Sequence, residues 1–180
     1  MSHVLMFRTA RLAIGQLGPD DYDRMLQIYG DPEGARWVGD GQPISPEDCA
    51  RWVDVTLSNY ATRGYGMSAV RLLGAAAAEG LGEIVGFAGL VHPGGQEVPE
   101  LKYAFAREHW GRGFATEVGS GMLAYGASTF GMARIIATAA PENLASLRVL
   151  EKVGMVDIGT HIDDDGEAVV TYEWTAPGGS

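Results

Sequence analysis

The sequence contains a single cysteine, Cys49, in 180 residues, which excludes an internal disulfide and points to a reducing, cytoplasmic setting. Cations are scarce. Lys and Arg number 13 against 23 Asp and Glu, a formal net charge of −10, which argues against a broad electrostatic grip on nucleic acid. The same charge would favour a cationic acceptor, such as a basic ribosomal protein or a polyamine. Long apolar runs are missing as well. The most apolar tract, LLGAAAA at 72–78, is too short to span a bilayer, and MSHVLMFRTARL lacks the apolar core of a signal peptide. No membrane contact is expected. His3, His92, His109 and His161 have no paired spacing and no cysteine beside them, so no metal is predicted. There is no G-x-S-x-G elbow, no Walker A loop and no G-x-G-x-x-G fingerprint. DDDG at 163–166 would need acids at His161 and Tyr172 to hold calcium, and is read as a hairpin turn.

What is present has the balance of one globular domain over 1–180, with 46% hydrophobic and 20% charged residues. RTARLAIGQLG alternates as a strand would and stops at glycine. PDDYDRMLQIY and SPEDCARWVDVTLSNY carry apolar residues at helical spacing, the second with Ser45 as cap and Cys49 on its apolar face. GYGMSAVRLL and EIVGFAGLVH read as strands joined through a loop over GAAAAEGLG, and ELKYAFAR as a third. The helix FATEVGSGMLAYGASTF, the strand ARIIATAAP, the helix NLASLRVLEKVG and the strands MVDIGTHI and EAVVTYEW follow. The predicted order is β-α-α-β-β-β-α-β-α-β-β. The unit from 100 to 141 is βαβ, so its two strands run parallel inside a mostly antiparallel sheet.

Two stretches carry chemistry. HWGRGFATE at 109–117 follows a strand and opens a helix, and free amides at a helix N-terminus suit an anion such as a phosphate; a tight turn explains the glycines equally well. PENLASLRVLEKVGM at 141–155 places Asn143 as a cap where a strand emerges beside the first, at the carboxyl ends where ligands of such units bind.

With these residues in hand, the chain resembles the GNAT superfamily of N-acetyltransferases, and within it the ribosomal-protein alanine (RimJ/RimL-like) branch. The resemblance rests on TARL at 9–12, Asp20–Asp21, SPEDCARW, EIVGFAGL, ELKYAF, WGRGFATE and PENLASLRVLEKVGM. It implies an α/β (α+β) GNAT fold, a mixed central sheet with a splayed parallel strand pair and helices on both faces. It also implies acetyl-CoA as co-substrate, seated in the splay with its pyrophosphate on the glycine loop.

On this resemblance Gly111, Arg112, Gly113, Ala115 and Thr116 take the pyrophosphate-loop positions. Trp110 stands where the family more often has Gln or Arg. Phe105 and Ala106 match the segment that pairs with pantetheine and offers an N–H to the thioester carbonyl. Asn143 and Ser146 match an N-x-x-S cofactor contact. Arg107, Arg112, Arg148 and Lys152 are candidate cations for the phosphates. Glu100 is the candidate base. The tyrosine that many relatives use as acid is here Leu150, which leaves Ser146 as the nearest hydroxyl, with Tyr103 and Tyr125 less well placed. The two early helices and the last hairpin would build the acceptor pocket, with Trp37, Trp52 and Tyr65 as lining aromatics. The acceptor is a protein N-terminus or a small amine, and a homodimer is compatible with the resemblance. A module that holds CoA or acyl-CoA without catalysis is the alternative.

Overall fold

The computed structural model describes residues 4–74 and 81–178; most of the loop expected over GAAAAEGLG lies outside the described residues. In chain order the elements are strands β1 (Leu5–Arg8) and β2 (Leu12–Gln16), helices α1 (Tyr22–Tyr29), α2 (Pro32–Ala35) and α3 (Pro46–Arg63), and strands β3 (Met67–Leu73), β4 (Leu81–Val91) and β5 (Glu100–Phe105). Helix α4 (Phe114–Phe130), strand β6 (Arg134–Ala139), helix α5 (Leu144–Lys152) and strands β7 (Val156–Ile162) and β8 (Ala168–Thr175) complete the chain. The strands form one eight-stranded sheet in the order β1-β2-β3-β4-β5-β6-β8-β7. This is the mixed α/β sheet that the motifs imply, with one strand more than expected. Strand β1 was not predicted, because LMFR is too short to display a period of its own; it is held by pairing with β2.

Local signals set the helix limits. Ser45 accepts from the Asp48 N–H at 3.1 Å to start α3, Pro46 follows it, and Gly64 closes the helix at φ +82°. Asp21, in the Asp20–Asp21 pair, is buried against Arg71 of β3 at 2.7 Å and accepts from the Gly18 N–H, so it fastens the entry of α1 to the sheet. The DDDG stretch is the turn between β7 and β8, closed by the Asp163 N–H on the Glu167 carbonyl. Strand β4 begins at Leu81, two residues before the predicted Glu83, so Leu81 and Gly82 of the expected loop belong to the strand.

Strand β4 is buried on both faces from Ile84 to Leu90. One core layer packs Val85, Leu101, Phe105 and Ile135 against Phe114, Val118 and Met122 of α4 and Leu150 of α5. The other packs Phe87 and Ala69 against Met25, Ile28 and Tyr29 of α1 and Cys49 and Val53 of α3. The sheet is continuous except at one seam. Parallel strands β5 and β6 share one bridge, Glu100 with Ile136, whereas each antiparallel neighbour pairs along most of its length. Beyond that bridge the two strands part.

Candidate active site

The parting of β5 and β6 opens a cleft of about 830 Å³ that reaches from the glycine loop, past the strand ends, to α1 and α3. The backbone on its β5 side follows from the register. Phe105 faces Gly86 across the β4 ladder, and the Ala106 N–H donates to the Val85 carbonyl at 2.9 Å. Alternation along an antiparallel pair then turns the N–H groups of Tyr103 and Phe105 away from β4, toward the seam. This corrects the expectation for Ala106. Its N–H is engaged in the sheet and Ala106 does not line the cleft, whereas Phe105 does. The Phe105 carbonyl accepts from the Trp110 indole N–H at 2.8 Å. Trp110 therefore ties the loop to the end of β5, a use for an aromatic at that position that a motif match does not show.

Gly111 and Gly113 adopt φ of +72° and +80°, a region in which a Cβ costs about 1–2 kcal/mol. Gly113 is the N-cap of α4 and offers no side-chain acceptor, so the amides of the first turn face the cleft mouth with the positive end of the helix dipole. Gly111, Arg112, Gly113, Ala115 and Thr116 all line the cleft. Arg112 stacks on Phe114, 5.0 Å from the ring centroid, and donates to His109 Nδ1 at 3.0 Å. A guanidinium only donates, so His109 carries its hydrogen on Nε2. That atom is buried and has no hydrogen-bond partner among the described residues, with Glu83 Oε1 3.5 Å away.

Arg11 is a loop neighbour that sequence reasoning missed. From the turn between β1 and β2 it donates to the Arg112 carbonyl at 2.8 Å and its guanidinium lies 4.6 Å from the Phe114 ring centroid. Glu117 holds it there, accepting from the Arg11 backbone N–H and Nε, each at 2.7 Å, and from Thr9 Oγ1 at 2.6 Å. Burial works to raise the Glu117 carboxyl, but these hydrogen bonds and the Arg11 charge hold it below the usual carboxylate range. No local signal could have found Arg11, since 106 residues separate it from Glu117.

Of the other expected cations, Lys152 lines the cleft and Arg148 is exposed outside it. Arg107 is turned away and paired with both carboxylate oxygens of Asp31, so it is removed from the expected phosphate set. Asn143 lines the cleft and caps α5, its Oδ1 accepting from the Ser146 N–H at 3.2 Å. Its amide NH2 group remains available to a ligand.

Ser146 Oγ lies 2.8 Å from the Tyr103 hydroxyl, and both line the cleft. Sequence alone ranks Tyr103 behind Ser146; the structure makes the two one unit. Burial pushes the Tyr103 hydroxyl up, only partly offset by its bond to Ser146, so it stays protonated. Tyr125 packs instead on Phe7 and Phe130.

Glu100 is 4% exposed and stands one layer behind the cleft wall. Its Oε1 accepts from Thr138 Oγ1 at 2.6 Å and from Lys102 Nζ at 3.0 Å, and both of those residues line the cleft. On the acceptor side, Tyr29, Trp37 and Trp52 line the cleft, Tyr29 and Trp52 meeting edge to face at 5.1 Å. Tyr65 does not line it. Its hydroxyl donates to His92 Nε2 at 2.8 Å and its ring packs on Phe130, so it supports the wall from behind. The β7–β8 hairpin contributes none of the lining, contrary to expectation, because β7 lies at the far edge of the sheet.

The geometry suits a thioester-bearing nucleotide: unpaired strand amides at a seam, a glycine cradle without side chains, and cations and a free amide group beside it. Comparison with known proteins agrees. A family model for the acetyltransferase (GNAT) domain matches residues 11–156. The uncharacterized protein YkkB of Bacillus subtilis is 39% identical over 106 residues, which are 58% of this chain and 58% of that protein. The match thus spans little more than half the length of this curated relative. Among solved structures, an acetyltransferase from Agrobacterium tumefaciens superimposes with a TM-score of 0.79 at 23% identity, covering 98% of this chain and 96% of that one. A spermidine N-acetyltransferase from Vibrio cholerae, in complex with CoA and spermine, does so with 0.72 at 17% identity, covering 91% and 95%. At these identities the structures establish the fold and do not select a branch of the family.

Proposed function

The chain belongs to the acetyltransferase (GNAT) domain family, and from that premise we propose that it is an acetyl-CoA-dependent N-acetyltransferase whose acceptor is a primary amine. The observation that carries the proposal is the seam: β5 and β6 pair only at Glu100–Ile136, with the amides of Tyr103 and Phe105 turned into the gap and the glycine loop at its mouth. The motif likeness to the RimJ/RimL-like branch supports a protein N-terminus or a small amine, and the lone buried cysteine supports a cytoplasmic setting.

The co-substrate supplies an activated acetyl thioester; attack by the amine nitrogen forms the C–N bond, breaks the C–S bond and leaves the CoA thiol. In this proposal the loop amides, Arg112 and Lys152 hold the pyrophosphate, and Asn143 and Ser146 hold the arm. The Tyr103 and Phe105 amides supply preorganised donors where negative charge develops on the carbonyl oxygen. A free alkyl amine has a pKa near 10, so only about one in a thousand is neutral at pH 7. Glu100 accepts the excess proton through the Thr138 side of the cleft or a water, with Lys102 and Thr138 orienting its carboxylate. The Tyr103–Ser146 hydroxyl pair returns a proton to the leaving sulfur. A module that only held CoA would have no use for this set of proton-handling groups, which counts against the alternative.

The test is thiol release from acetyl-CoA with and without added primary amines, with the acetylated product identified by mass. Amine-dependent release is expected. A rate of thiol appearance that no amine changes, with acetyl-CoA bound, would refute the proposal.

A further inference from the structure

The negative net charge of the chain suggests a cationic acceptor, but the cleft contradicts it. Among the described residues no Asp or Glu lines the cleft, while Arg63 and Lys102 line its acceptor half. Glu100, whose partners Thr138 and Lys102 line the cleft, lies behind the wall and is engaged by both. Arg63, at the end of α3, forms no ion pair among the described residues.

The wall is graded along its length. Trp52, Thr56, Asn59 and Arg63 all line the cleft at intervals of about one helical turn, a stripe roughly 16 Å long at 1.5 Å per residue. Register places its two ends over the sheet. A Cβ at Gly66 would stand 3.2 Å from Asn59 Cβ, and the next residue, Met67, pairs with Gly89, which pairs with Lys102. The Asn59 and Arg63 end therefore sits over the Lys102 row. Trp52 meets Tyr29, whose ring lies 6.0 Å from that of Phe87, and Phe87 pairs with Ala104. The aromatic end thus lies two residues further along β5, nearer the open mouth; Trp37, 40% exposed, also lines the cleft. One end of the acceptor half is aromatic and the other is cationic, with the seam-facing Tyr103 amide of β5 between their rows.

From this we infer that the acceptor is a small amine that also carries a carboxylate and an apolar or aromatic side chain, an α-amino acid in chemical class. Its carboxylate is directed to Arg63 and Lys102, and its side chain lies among Tyr29, Trp37 and Trp52. Only one donor of the Lys102 ammonium is engaged by Glu100, which leaves two for a ligand. A polyamine would instead place further positive charges against Arg63 and Lys102 with no carboxylate to receive them. The inference rests on the transferase reading above.

The experiment compares L-phenylalanine, L-phenylalanine amide, phenethylamine and spermidine as acceptors in the thiol-release assay. Loss of one charge-assisted contact predicts that L-phenylalanine exceeds the amide and phenethylamine by about tenfold or more in kcat/KM. Arg63→Ala should bring that ratio toward one, chiefly through KM. Equal or faster turnover of phenethylamine or spermidine, or a ratio that survives Arg63→Ala, overturns the inference and leaves the transferase reading standing. Calorimetry of L-phenylalanine against the protein with CoA reads seating without turnover. Seating with no thiol release from any amine refutes the transferase reading; neither seating nor release refutes both.

Discussion

Glu117 is the hinge between the start of the chain and the glycine loop, and Glu117→Gln should separate them. The carboxylate accepts three hydrogen bonds, from Thr9 Oγ1, the Arg11 N–H and Arg11 Nε. An amide keeps the first two at its oxygen but presents an NH2 group to the Arg11 Nε–H, donor against donor. A buried hydrogen bond to a charged group is worth about 1.5–3 kcal/mol. Here the Arg11 side chain is 48% exposed and that of Glu117 16%, and solvent screening reduces the expected loss to about 1–2 kcal/mol. For a chain of this size that lowers Tm by about 3–6 °C. The folded-state pKa of Glu117 is depressed, so its contribution is fully present above the unfolded value of about 4.3 and is lost as pH falls through the folded value. Urea unfolding of the two proteins at pH 7 and at steps below pH 5 should show a gap that closes toward the acid end. Because Arg11 also holds the Arg112 carbonyl, the KM for acetyl-CoA should rise at pH 7. Equal stability at neutral pH, or a gap that stays constant into acid, would refute this account.

Other perturbations probe the site separately. Gly113→Ala adds a Cβ that meets only Arg11 Nη2, at 3.4 Å, but at φ +80°, so it should cost about 1–2 kcal/mol through backbone strain and weaken acetyl-CoA binding by calorimetry; unchanged affinity would remove the loop from the cofactor site. Tyr103→Phe and Ser146→Ala should each lower kcat, and the double variant should lose little more than either, since the two hydroxyls act as one pair. Additive losses in a kcat cycle would show separate roles. At Gly89 a Cβ would stand 2.2 Å from the Gly66 carbonyl oxygen and 2.6 Å from Met67 Cα. Gly89→Ala should therefore force β3 and β4 apart and cost about 3 kcal/mol or more, read as loss of soluble protein or of a cooperative melt; a normal melt would show that the strands can yield.

Much of the site is legible locally. The glycine pair, the Asn143 cap and the strand before the loop are contiguous patterns whose chemistry is carried by backbone shape, and backbone shape follows from residues close in the chain. The errors fall where partners are distant. Ala106 is adjacent to the seam in sequence, yet the ladder phase set by β4 turns its N–H into the sheet and leaves Phe105 facing the gap. Arg107 looks like a phosphate ligand until Asp31, 76 residues away, claims it. Tyr65 and Trp37 are both aromatics outside the helices, but only packing on His92 and Phe130 decides that Tyr65 stands behind the wall.

Taken alone, the sequence determined the elements other than β1 and the short α2, the βαβ unit and the family, because periodicity, caps and glycine positions report on short-range geometry. Tertiary structure alone decided where β5 and β6 stop pairing, which amides that exposes, and that Tyr103 and Ser146, 43 residues apart, share a hydrogen bond. It also decided the sign of the cleft. Net charge counts every residue equally, whereas a ligand responds to the few that face it, and here no carboxylate among the described residues lines the cleft while Arg63 and Lys102 do.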